Sequence, residues 1–384
     1  MNPPKVAIIS RLPAPYFEPL FQKIEDFWQN KLIVLYECRG RVGTAWGIEK
    51  TGFEGKYTYK KVYFEDTPQE GLNKLWYSLR GVFWGIKQLN KHKPDIVIIH
   101  GYFFPLSWAA LMWCVVERIP YSLRSDSNGF INSSSGIKAI IKMWFLKKLT
   151  RGASSFLYIG TANKAYWQKY GATDSQLIEA KYAVDDRIFF PTATPRTIDR
   201  TVFLFVGRLI PRKNVLLLLE AFKQMQDSWD KMELIIAGTG PQESQVQLFI
   251  EQNPEMPIRF LGRVSPADMP SLYQNADILV CPYEREPWGL TINEAMSCGL
   301  AIIAATNGTC GAAVDLMIDG QNGVGLSDLS SKQLEQAMQY LAADRDRLER
   351  MKKESLKIIA GWKYDSAVSG FIEATERHKR KDKP

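Results

Sequence analysis

The sequence predicts an α/β protein with two domains, each built on a parallel sheet that helices cover on both faces. Short β-rich runs alternate with helical patterns along the chain, which is the order produced by strands joined through crossover helices. Between two such series, residues 186–200 are rich in Pro and Thr and show neither period over most of their length. The 384 residues suffice for two ordinary domains with hydrophobic cores. We therefore expect domains at 1–185 and 201–384, joined by a linker at 186–200.

Ten strands are predicted, five in each domain. In the first domain they cover residues 5–10, 31–38, 95–100, 121–124 and 156–160. In the second domain they cover residues 202–206, 233–237, 259–261, 278–281 and 301–304. One helix of the second domain is expected to begin after Lys213. A short, largely buried helix is expected to begin near Gly289 to Thr291, because Pro287 and Gly289 disfavour regular structure before it.

Two carboxylates in the segment REPWGLTINEAMSCGLAII, residues 285–303, predict a ligand site. Glu286 lies on the Pro-Trp-Gly turn, and Glu294 lies eight positions later, inside the predicted helix. The free N–H groups and the positive dipole end at the start of a helix favour an anion between the two acids. Eight helical positions span about 12 Å, a length comparable to a ribose and a sugar ring joined through a diphosphate. The structural alternative is one acid near the helix dipole and one solvated helical Glu.

Two cations follow a predicted strand upstream of this segment. The run at 202–206 ends in Gly207 and Arg208, and Lys213 precedes a helix. Ligands of open α/β sheets collect outside the carboxyl ends of the strands, and an Arg fork with a Lys point charge suits a diphosphate. Neutralising a leaving diphosphate would lower the barrier to breaking its bond to a sugar. The alternative is that both are solvated loop cations. The position of this segment, just ahead of the Glu286 segment in the same predicted domain, disfavours that alternative.

At these residues the chain resembles the family 4 retaining glycosyltransferases of the GT-B fold, also called glycosyl transferases group 1. Four motifs of that family occur in the expected order, as GRLIPRK at 207–213, AGTGP at 237–241, FLGRV at 260–264 and EPWGLTINE at 286–294. The resemblance is specific over about residues 200–325 and weaker over the first half. It implies two Rossmann-like parallel-sheet domains facing across a cleft. The donor would bind mainly to the second domain and the acceptor to the first, to which the terminal helices would cross back.

The resemblance also implies roles for individual residues. Glu286 would lie against the donor sugar and the leaving phosphate, Glu294 would bind the ribose hydroxyls, and Arg208 and Lys213 would bind the diphosphate. The other residues assigned to donor binding are Gly207, Gly238, Arg263, Val264, Trp288, Gly289, Leu290 and Thr291.

The first domain departs from the family pattern at two places. Residues 10–19 read SRLPAPYFEP, with Arg and Pro where family members often have Gly, which disfavours a close approach of phosphate to the backbone. Many members have a His beside the donor sugar, directly after the fourth strand of the first domain. This chain reads RSDSNG there, at 124–129. Asp126 is the positional substitute and is assigned to the catalytic set. His100 ends the third predicted strand, where a structural hydrogen-bonded His is favoured over a catalytic one.

Charge and composition limit the partners. The formal net charge of +8 favours an anionic partner or surface. Segments 73–93 and 136–153 mix Lys and Arg with Trp, Phe, Leu and Ile, in the manner of helices that lie on an anionic membrane. The alternative is buried helices whose lysines reach solvent. No recognised nucleic-acid-binding module accompanies the basic residues, so nucleic acid is not an expected partner.

The compartment is also predicted from composition. The five cysteines are scattered and form no CxxC pair, which indicates neither a disulfide framework nor a zinc site. The N-terminus lacks the apolar core of a signal peptide, and the longest apolar stretch, residues 105–116, is too short to span a bilayer. We expect a cytoplasmic protein that lies peripherally on the inner face of the membrane.

Together these observations favour a retaining, metal-independent glycosyltransferase without a cofactor. It would move a sugar from a nucleotide diphosphate, with UDP favoured over GDP, to a hydroxyl of a lipid-linked or saccharide acceptor in surface polysaccharide or glycolipid assembly. The one Asp-x-Asp, at 344–346, falls in a charged helical segment and is not expected to bind metal.

Two alternatives stay open. A non-catalytic nucleotide-sugar-binding or scaffold subunit is favoured by the missing His near Asp126 and by TNGTCGAAVDL at 306–316, where the family commonly reads Gly-Gly-x-Pro-Glu. The retained charged residues of the second domain argue against it. A nucleotide-sugar epimerase would need an acid/base pair for elimination, which the sequence does not recommend.

Overall fold

A computed structural model of the chain describes residues 3–14, 16–29, 31–38, 59–65, 73–129, 136–192, 200–308 and 310–381. Of the segments named above, residues 15, 193–199 and 309 lie outside this description, as do the side chains of residues 73–75 and 138–139. The described chain forms two compact units. Unit 2 is Ala183–Lys363, and unit 1 comprises the chain before it together with the residues from Tyr364 onward.

Unit 1 contains one parallel sheet, to which the described residues contribute seven strands. In chain order these are β1 Val6–Ser10, β2 Leu32–Cys38, β3 Lys60–Glu65, β4 Ile96–His100, β5 Tyr121–Arg124, β6 Ser155–Tyr158 and β7 Leu177–Glu179. Their order across the sheet is β3-β2-β1-β4-β5-β6-β7. The helices that precede unit 2 are α1 Glu18–Trp28, α2 Asn73–His92, α3 Pro105–Val116, α4 Ile137–Gly152 and α5 Thr161–Lys169.

The centre of this sheet is buried on both faces, which explains the continuous apolar runs of its strands. All five residues of β1 are buried, as are the first four of β4. Val6 pairs with Ile96 in the β1–β4 register, and His100 pairs with Arg124 in the β4–β5 register. The last residues of β4 and β5 therefore lie side by side at the carboxyl edge of the sheet.

Unit 2 contains a second parallel sheet, with six strands among its described residues. These are β8 Thr201–Val206, β9 Met232–Ala237, β10 Ile258–Gly262, β11 Ile278–Cys281, β12 Ala301–Ala305 and β13 Gly323–Leu326, in the order β10-β9-β8-β11-β12-β13. Its helices are α6 Val215–Lys223, α7 Glu243–Glu251, α8 Met269–Gln274, α9 Leu290–Ser297, α10 Gly311–Leu316, α11 Ser331–Ala342 and α12 Arg345–Ile359.

The last helix, α13 Tyr364–Lys381, belongs to unit 1. Phe371 and its neighbours on the same face are buried. A Cβ on Gly370 would overlap a carbonyl oxygen of β7, so the absence of a side chain there lets the helix lie directly on the edge of the sheet. The chain thus completes unit 1 only after it has formed unit 2.

The predicted α/β class with two parallel sheets is confirmed, and all ten predicted strands are present. The prediction of five strands per domain is wrong, because β3, β7 and β13 were not predicted. Each of the three lies at an edge of its sheet. A strand with one neighbour needs no long apolar run, and these are short, glycine-rich or partly exposed. The helices expected after Lys213 and near Gly289 are confirmed as α6 and α9.

None of the described helices is long and apolar enough to cross a bilayer. The apolar stretch at 105–116 forms α3, a helix of 12 residues that packs along β4 and α2.

Candidate functional site

Two glycine-containing loops meet at the carboxyl edge of the sheet in unit 2. Gly207 follows β8 and donates its N–H to the carbonyl of Ala237, 3.0 Å away, at the end of β9. Gly238 has a φ of +150°, and a Cβ there would overlap the carbonyl oxygen of Gly207. Only glycine tolerates both the backbone conformation and the close approach. The two predicted glycines therefore form one joined backbone surface at the end of β8 and β9.

An ion-pair cluster lies next to this surface. A short 3-10 turn, Pro211–Lys213, carries Lys213, and the loop after β11 carries Glu286. The Lys213 ammonium lies 2.8 Å from Glu286 Oε2, and the Arg212 guanidinium lies 3.1 Å from the same oxygen. The two predicted residues are therefore brought together, and Arg212 is a member of the cluster that the sequence did not identify.

The loops that carry the cluster are fastened to each other. Asn214 donates from Nδ2 to the carbonyl of Pro282 at 2.9 Å, and Glu284 donates its N–H to the carbonyl of Arg212 at 2.8 Å. The Lys213 ammonium lies 3.4 Å from the centre of the Tyr283 ring. The Tyr283 hydroxyl donates to the carbonyl of Val206 in β8. A buried lysine is thus held by a carboxylate on the loop after β11 and by an aromatic face that is bonded to β8.

Arg208 differs from Lys213 in its surroundings. Lys213 is 7% exposed, whereas Arg208 is exposed. Within the described chain, no hydrogen bond or ion pair engages the Arg208 guanidinium. Of the two predicted diphosphate ligands, Lys213 is held in one position and Arg208 keeps its hydrogen-bonding groups available to solvent.

Helix α9 begins beside Glu286. Gly289 occupies its N-cap with a φ of +100°, and no side chain caps the helix. The first-turn N–H groups, which include those of Leu290 and Thr291, therefore remain available to an anion. The Thr291 hydroxyl lies 3.4 Å from that of Tyr283, which links the helix to the cluster.

Glu294 lies one turn into α9 and is partly buried. The Tyr273 hydroxyl donates to its Oε2 at 2.6 Å. Burial raises the pKa of the Glu294 carboxyl to about 7, and the hydrogen bond from Tyr273 opposes that rise. Glu294 thus changes charge near neutral pH, which its spacing from Glu286 did not predict.

Trp288 supports the turn between Glu286 and α9. It is 3% exposed, donates its indole N–H to Asn293 Oδ1 at 2.9 Å and packs against Trp362 with ring centres 5.1 Å apart. The unusual stretch at 306–316 packs on the same turn, where Cys310 lies beside the strand-like bridge of Glu286 and donates its thiol to the Trp288 carbonyl. The turn is held by neighbours on both sides.

The remaining predicted residues occupy two places. Arg263 and Val264 follow β10 at the same edge of the sheet, and Gly238 donates its N–H to the Gly262 carbonyl just before them. Arg263 is exposed, and Val264 is partly buried. Asp126 lies in unit 1, where it is exposed on the loop after β5, whereas the other predicted site residues belong to unit 2.

The described residues include no group of three or more His, Cys, Asp or Glu side chains that could hold a metal ion. The Asp-x-Asp at 344–346 begins α12, where the Asp344 side chain accepts a hydrogen bond from the Arg347 N–H at 2.9 Å and caps the helix.

The residues missed from the sequence are Arg212, Tyr273 and Tyr283. Arg212 directly precedes Lys213, so its position in the same short motif was an available signal. The two tyrosines lie in segments whose contacts depend on how β8, α8 and β11 pack, which no local pattern specifies.

Comparisons with known proteins identify similar sequences and a similar fold. Residues 187–357 match the family model described as "Glycosyl transferases group 1". A lipopolysaccharide 1,2-N-acetylglucosaminetransferase of Salmonella typhimurium is 26% identical over 46% of this chain and 48% of its own. A GDP-mannose-dependent monoacylated alpha-(1-6)-phosphatidylinositol monomannoside mannosyltransferase of Corynebacterium glutamicum is 30% identical over 39% of this chain and 41% of its own. The chain thus spans about half the length, or less, of these curated relatives.

Likeness to solved structures extends over nearly the whole chain. Anabaena HepE, solved in complex with UDP and glucose, superposes with a TM-score of 0.74 and 18% identity over 97% of this chain and 99% of its own. At this identity the likeness establishes the fold, and the superposed residues include both units.

Proposed function

We propose that this protein is a retaining, metal-independent glycosyltransferase, because residues 187–357 match the family model of the glycosyl transferases group 1 and the chain has the GT-B fold. It takes a sugar from a nucleotide-diphosphate sugar and passes it to a hydroxyl of a saccharide or lipid-linked acceptor. The observation that carries this proposal is the buried Lys213–Glu286 pair beside the uncapped N-terminus of α9. That arrangement holds the Lys213 ammonium in place near the positive end of the α9 dipole, so that both would face a leaving diphosphate.

The charges of unit 2 suit a leaving diphosphate. As the bond between the anomeric carbon and the phosphate oxygen breaks, its electron pair passes to the diphosphate. Lys213, the exposed Arg208 and the N–H groups at the start of α9 would stabilise this charge. The acceptor hydroxyl would join the anomeric carbon on the same face and give its proton to the departing phosphate oxygen. Atoms and charge balance without a metal ion or an enzyme nucleophile.

The surroundings of Glu286 argue against a covalent role for it. Its Oε2 lies against both Lys213 and Arg212, and its side chain is 16% exposed. Two cations on one carboxylate oxygen lower its nucleophilicity, and a covalent intermediate would require it to leave them. We infer that Glu286 positions Lys213 and contacts the donor sugar.

We propose that Glu294 binds the ribose hydroxyls of the donor. An ionised Glu294 accepts two hydrogen bonds, while Tyr273 fixes the carboxyl from its other side. UDP is favoured over GDP as the donor nucleotide, and the UDP complex of HepE supports this choice. The Corynebacterium relative is named for GDP-mannose, so GDP-sugars belong in any donor screen.

We propose that unit 1 binds the acceptor and contacts an anionic membrane surface. Helices α2 and α4 expose large apolar side chains among their Lys and Arg residues, including Trp76, Phe83, Ile140 and Trp144. Exposed apolar groups of this kind mark an interaction surface, and interleaved cations favour anionic lipid. The names of both curated relatives refer to lipid-containing glycans. A cytoplasmic enzyme on the inner face of the membrane, acting in polysaccharide or glycolipid assembly, fits these observations.

The test is donor turnover with EDTA present, measured on a panel of UDP-, GDP- and ADP-sugars with membrane lipid extract as acceptor source. Glu286→Ala and Arg208→Ala are compared with wild type and with Glu284→Ala, a matched change of an exposed neighbouring acid. We expect turnover that survives EDTA, collapses in the first two variants and persists in Glu284→Ala. Turnover that requires metal and ignores Glu286 would contradict the mechanism. Donor binding without turnover would indicate the scaffold alternative.

A further inference from the structure

A fully buried arginine lies at the carboxyl edge of the sheet in unit 1, apart from the residues assigned to the donor. Arg124 is the last residue of β5 and has 0% of its surface exposed. Its guanidinium lies 5.1 Å from the Tyr182 ring and 5.2 Å from the Phe371 ring. These two contacts and the strand restrict its position. The carboxyl edge of a parallel sheet is also where ligands of α/β folds collect.

One edge of this guanidinium lacks partners. Nη1 donates to the carbonyl of Ala180 at 2.5 Å. Nε and Nη2 are buried and make no hydrogen bond, and among the described residues no carboxylate lies within ion-pair distance of Arg124. Nε and Nη2 together form the fork that binds the two oxygens of a carboxylate or phosphate. The unpartnered atoms are therefore those that recognise a planar pair of oxygens.

The neighbouring strand contributes a second unpartnered group. His100 ends β4 and pairs in register with Arg124. Its Nδ1 is buried without a hydrogen-bond partner, and its ring packs edge-on against Phe17 with centres 4.3 Å apart. Burial, aided by the nearby Arg124 charge, lowers the pKa of His100 to about 3, so the ring is neutral. A neutral imidazole donates or accepts one hydrogen bond at Nδ1 according to its tautomer.

The loop that follows Arg124 is held in place by buried polar contacts. Tyr102 donates its hydroxyl to the Ser127 hydroxyl at 3.1 Å, and Asn163 donates from Nδ2 to the Ser127 carbonyl at 2.5 Å. The charge of Arg124 faces two aromatic rings and the more distant Asp126 carboxylate. None of these accepts a hydrogen bond from Nε or Nη2, and buried donors are normally paired, so the two free N–H groups point to a ligand.

We propose that Arg124 and His100 form an oxyanion subsite that binds a carboxylate or phosphate group of the acceptor. The assignment of the anion to the acceptor rests on the proposed function, whereas the anion site itself does not. The Arg124 fork binds two oxygens, and His100 Nδ1 donates to a third or to the same group. Arg124 has no exposed surface, so an oxyanion reaches it only if a neighbouring side chain moves, and His100 beside it is partly exposed.

The first experiment measures anion binding by the intact chain. Thermal unfolding is followed with inorganic phosphate, glucuronate and neutral glucose, in wild type, Arg124→Gln, Arg124→Lys and Arg350→Gln. The last is the control, since Arg350 is exposed and forms no ion pair within the described chain. Each shift in Tm is taken from the variant's own ligand-free value, so a change in basal stability does not enter the comparison.

We expect phosphate or glucuronate to raise the Tm of wild type and Arg350→Gln by about 2 °C or more, and glucose to have no effect. The rise should be smaller in Arg124→Lys and at least half lost in Arg124→Gln. Phosphate held only by unit 2 would give equal shifts in all four proteins and would overturn the site. A response to phosphate alone identifies a phosphate group, and a response to glucuronate alone identifies a carboxylate.

The location is checked with crystals soaked in tungstate, a phosphate analogue with strong anomalous scattering. A peak within hydrogen-bonding distance of Arg124 Nε and Nη2 is expected, and peaks only elsewhere would overturn the site. In activity assays, Arg124→Gln should lower transfer to lipid extract at least tenfold more than it lowers donor hydrolysis. An Arg124-dependent anion response in a protein without donor turnover would sink the proposed function and leave the site standing. Turnover without that response would do the reverse.

Discussion

Replacement of Glu294 by Gln should stabilise the protein in a pH-dependent way. Burial raises the pKa of the Glu294 carboxyl to about 7, compared with 4.5 for an unperturbed glutamate. A group whose pKa is higher in the folded protein favours folding while it is protonated. Its contribution is complete below about pH 4.5 and is lost as the pH rises through about 7. At pH 8 the folded protein therefore carries the full cost of an ionised, partly buried Glu294.

The size of this cost follows from the two pKa values. A difference of about 2.5 corresponds to about 3 kcal/mol at 1.36 kcal/mol per pKa unit. This is an upper limit, because Glu294 keeps some contact with solvent. Gln has the shape of the protonated acid, keeps an oxygen for the Tyr273 hydroxyl and never ionises. Glu294→Gln should thus gain up to about 3 kcal/mol at pH 8 and change little near pH 5.

Urea unfolding at pH 5 and pH 8 measures the effect, with Glu284→Gln as the exposed matched control. The free energy of unfolding of the control relative to wild type should be the same at both values. If Glu294→Gln also differs from wild type by the same amount at pH 5 and pH 8, the raised pKa is refuted. The same variant should bind UDP-sugar about tenfold more weakly at pH 8, because ribose hydroxyls lose a charged acceptor. Wild-type binding should tighten from pH 6 to pH 8.

Three further substitutions test the backbone and the surface. Gly238→Ala places a Cβ on the carbonyl oxygen of Gly207. It should lower the free energy of unfolding, measured in urea, by at least about 2 kcal/mol and should also weaken donor binding. Unchanged stability would contradict the close approach. Gly370→Ala should separate α13 from β7 and destabilise unit 1 by a similar amount, measured as increased amide hydrogen exchange in β7. Trp144→Ser should reduce cosedimentation with anionic vesicles several-fold, whereas Leu248→Ser, which changes an exposed apolar residue of unit 2, should not.

The sequence predicted the interior of each sheet better than its margins. Central strands such as β1 are buried on both faces, so their composition is apolar throughout and independent of context. Edge strands such as β7 and β13 have one partner, and their pairing depends on the whole unit. Glycine repeats in 323–326 favour no strand by themselves, and the segment becomes one because β12 offers a free edge.

The candidate site was predictable where chemistry is local and unpredictable where it depends on packing. The charge types of Lys213 and Glu286 and their order along the chain led to the expectation that both serve one ligand, and the structure places them 2.8 Å apart. Whether they carry out the assigned roles stays a prediction. The pKa of Glu294 could not be predicted, because it arises from burial by residues distant in sequence. The same holds for Arg124, which ends the predicted strand 121–124 and whose burial no local pattern indicates.

The placement of α13 bears on how the protein is made. A ribosome releases the chain from its N-terminus, so the strands of unit 1 emerge long before residues 364–381 do. Until those residues arrive, the face of β6 and β7 that α13 covers, together with one side of the Arg124 guanidinium, has no covering helix. The nascent first unit must therefore wait, incompletely packed, for the synthesis of about 180 further residues of unit 2, at roughly 5–20 residues per second. During that interval of about ten seconds or more, the incompletely packed unit 1 is the part of the chain that chaperone binding would protect most.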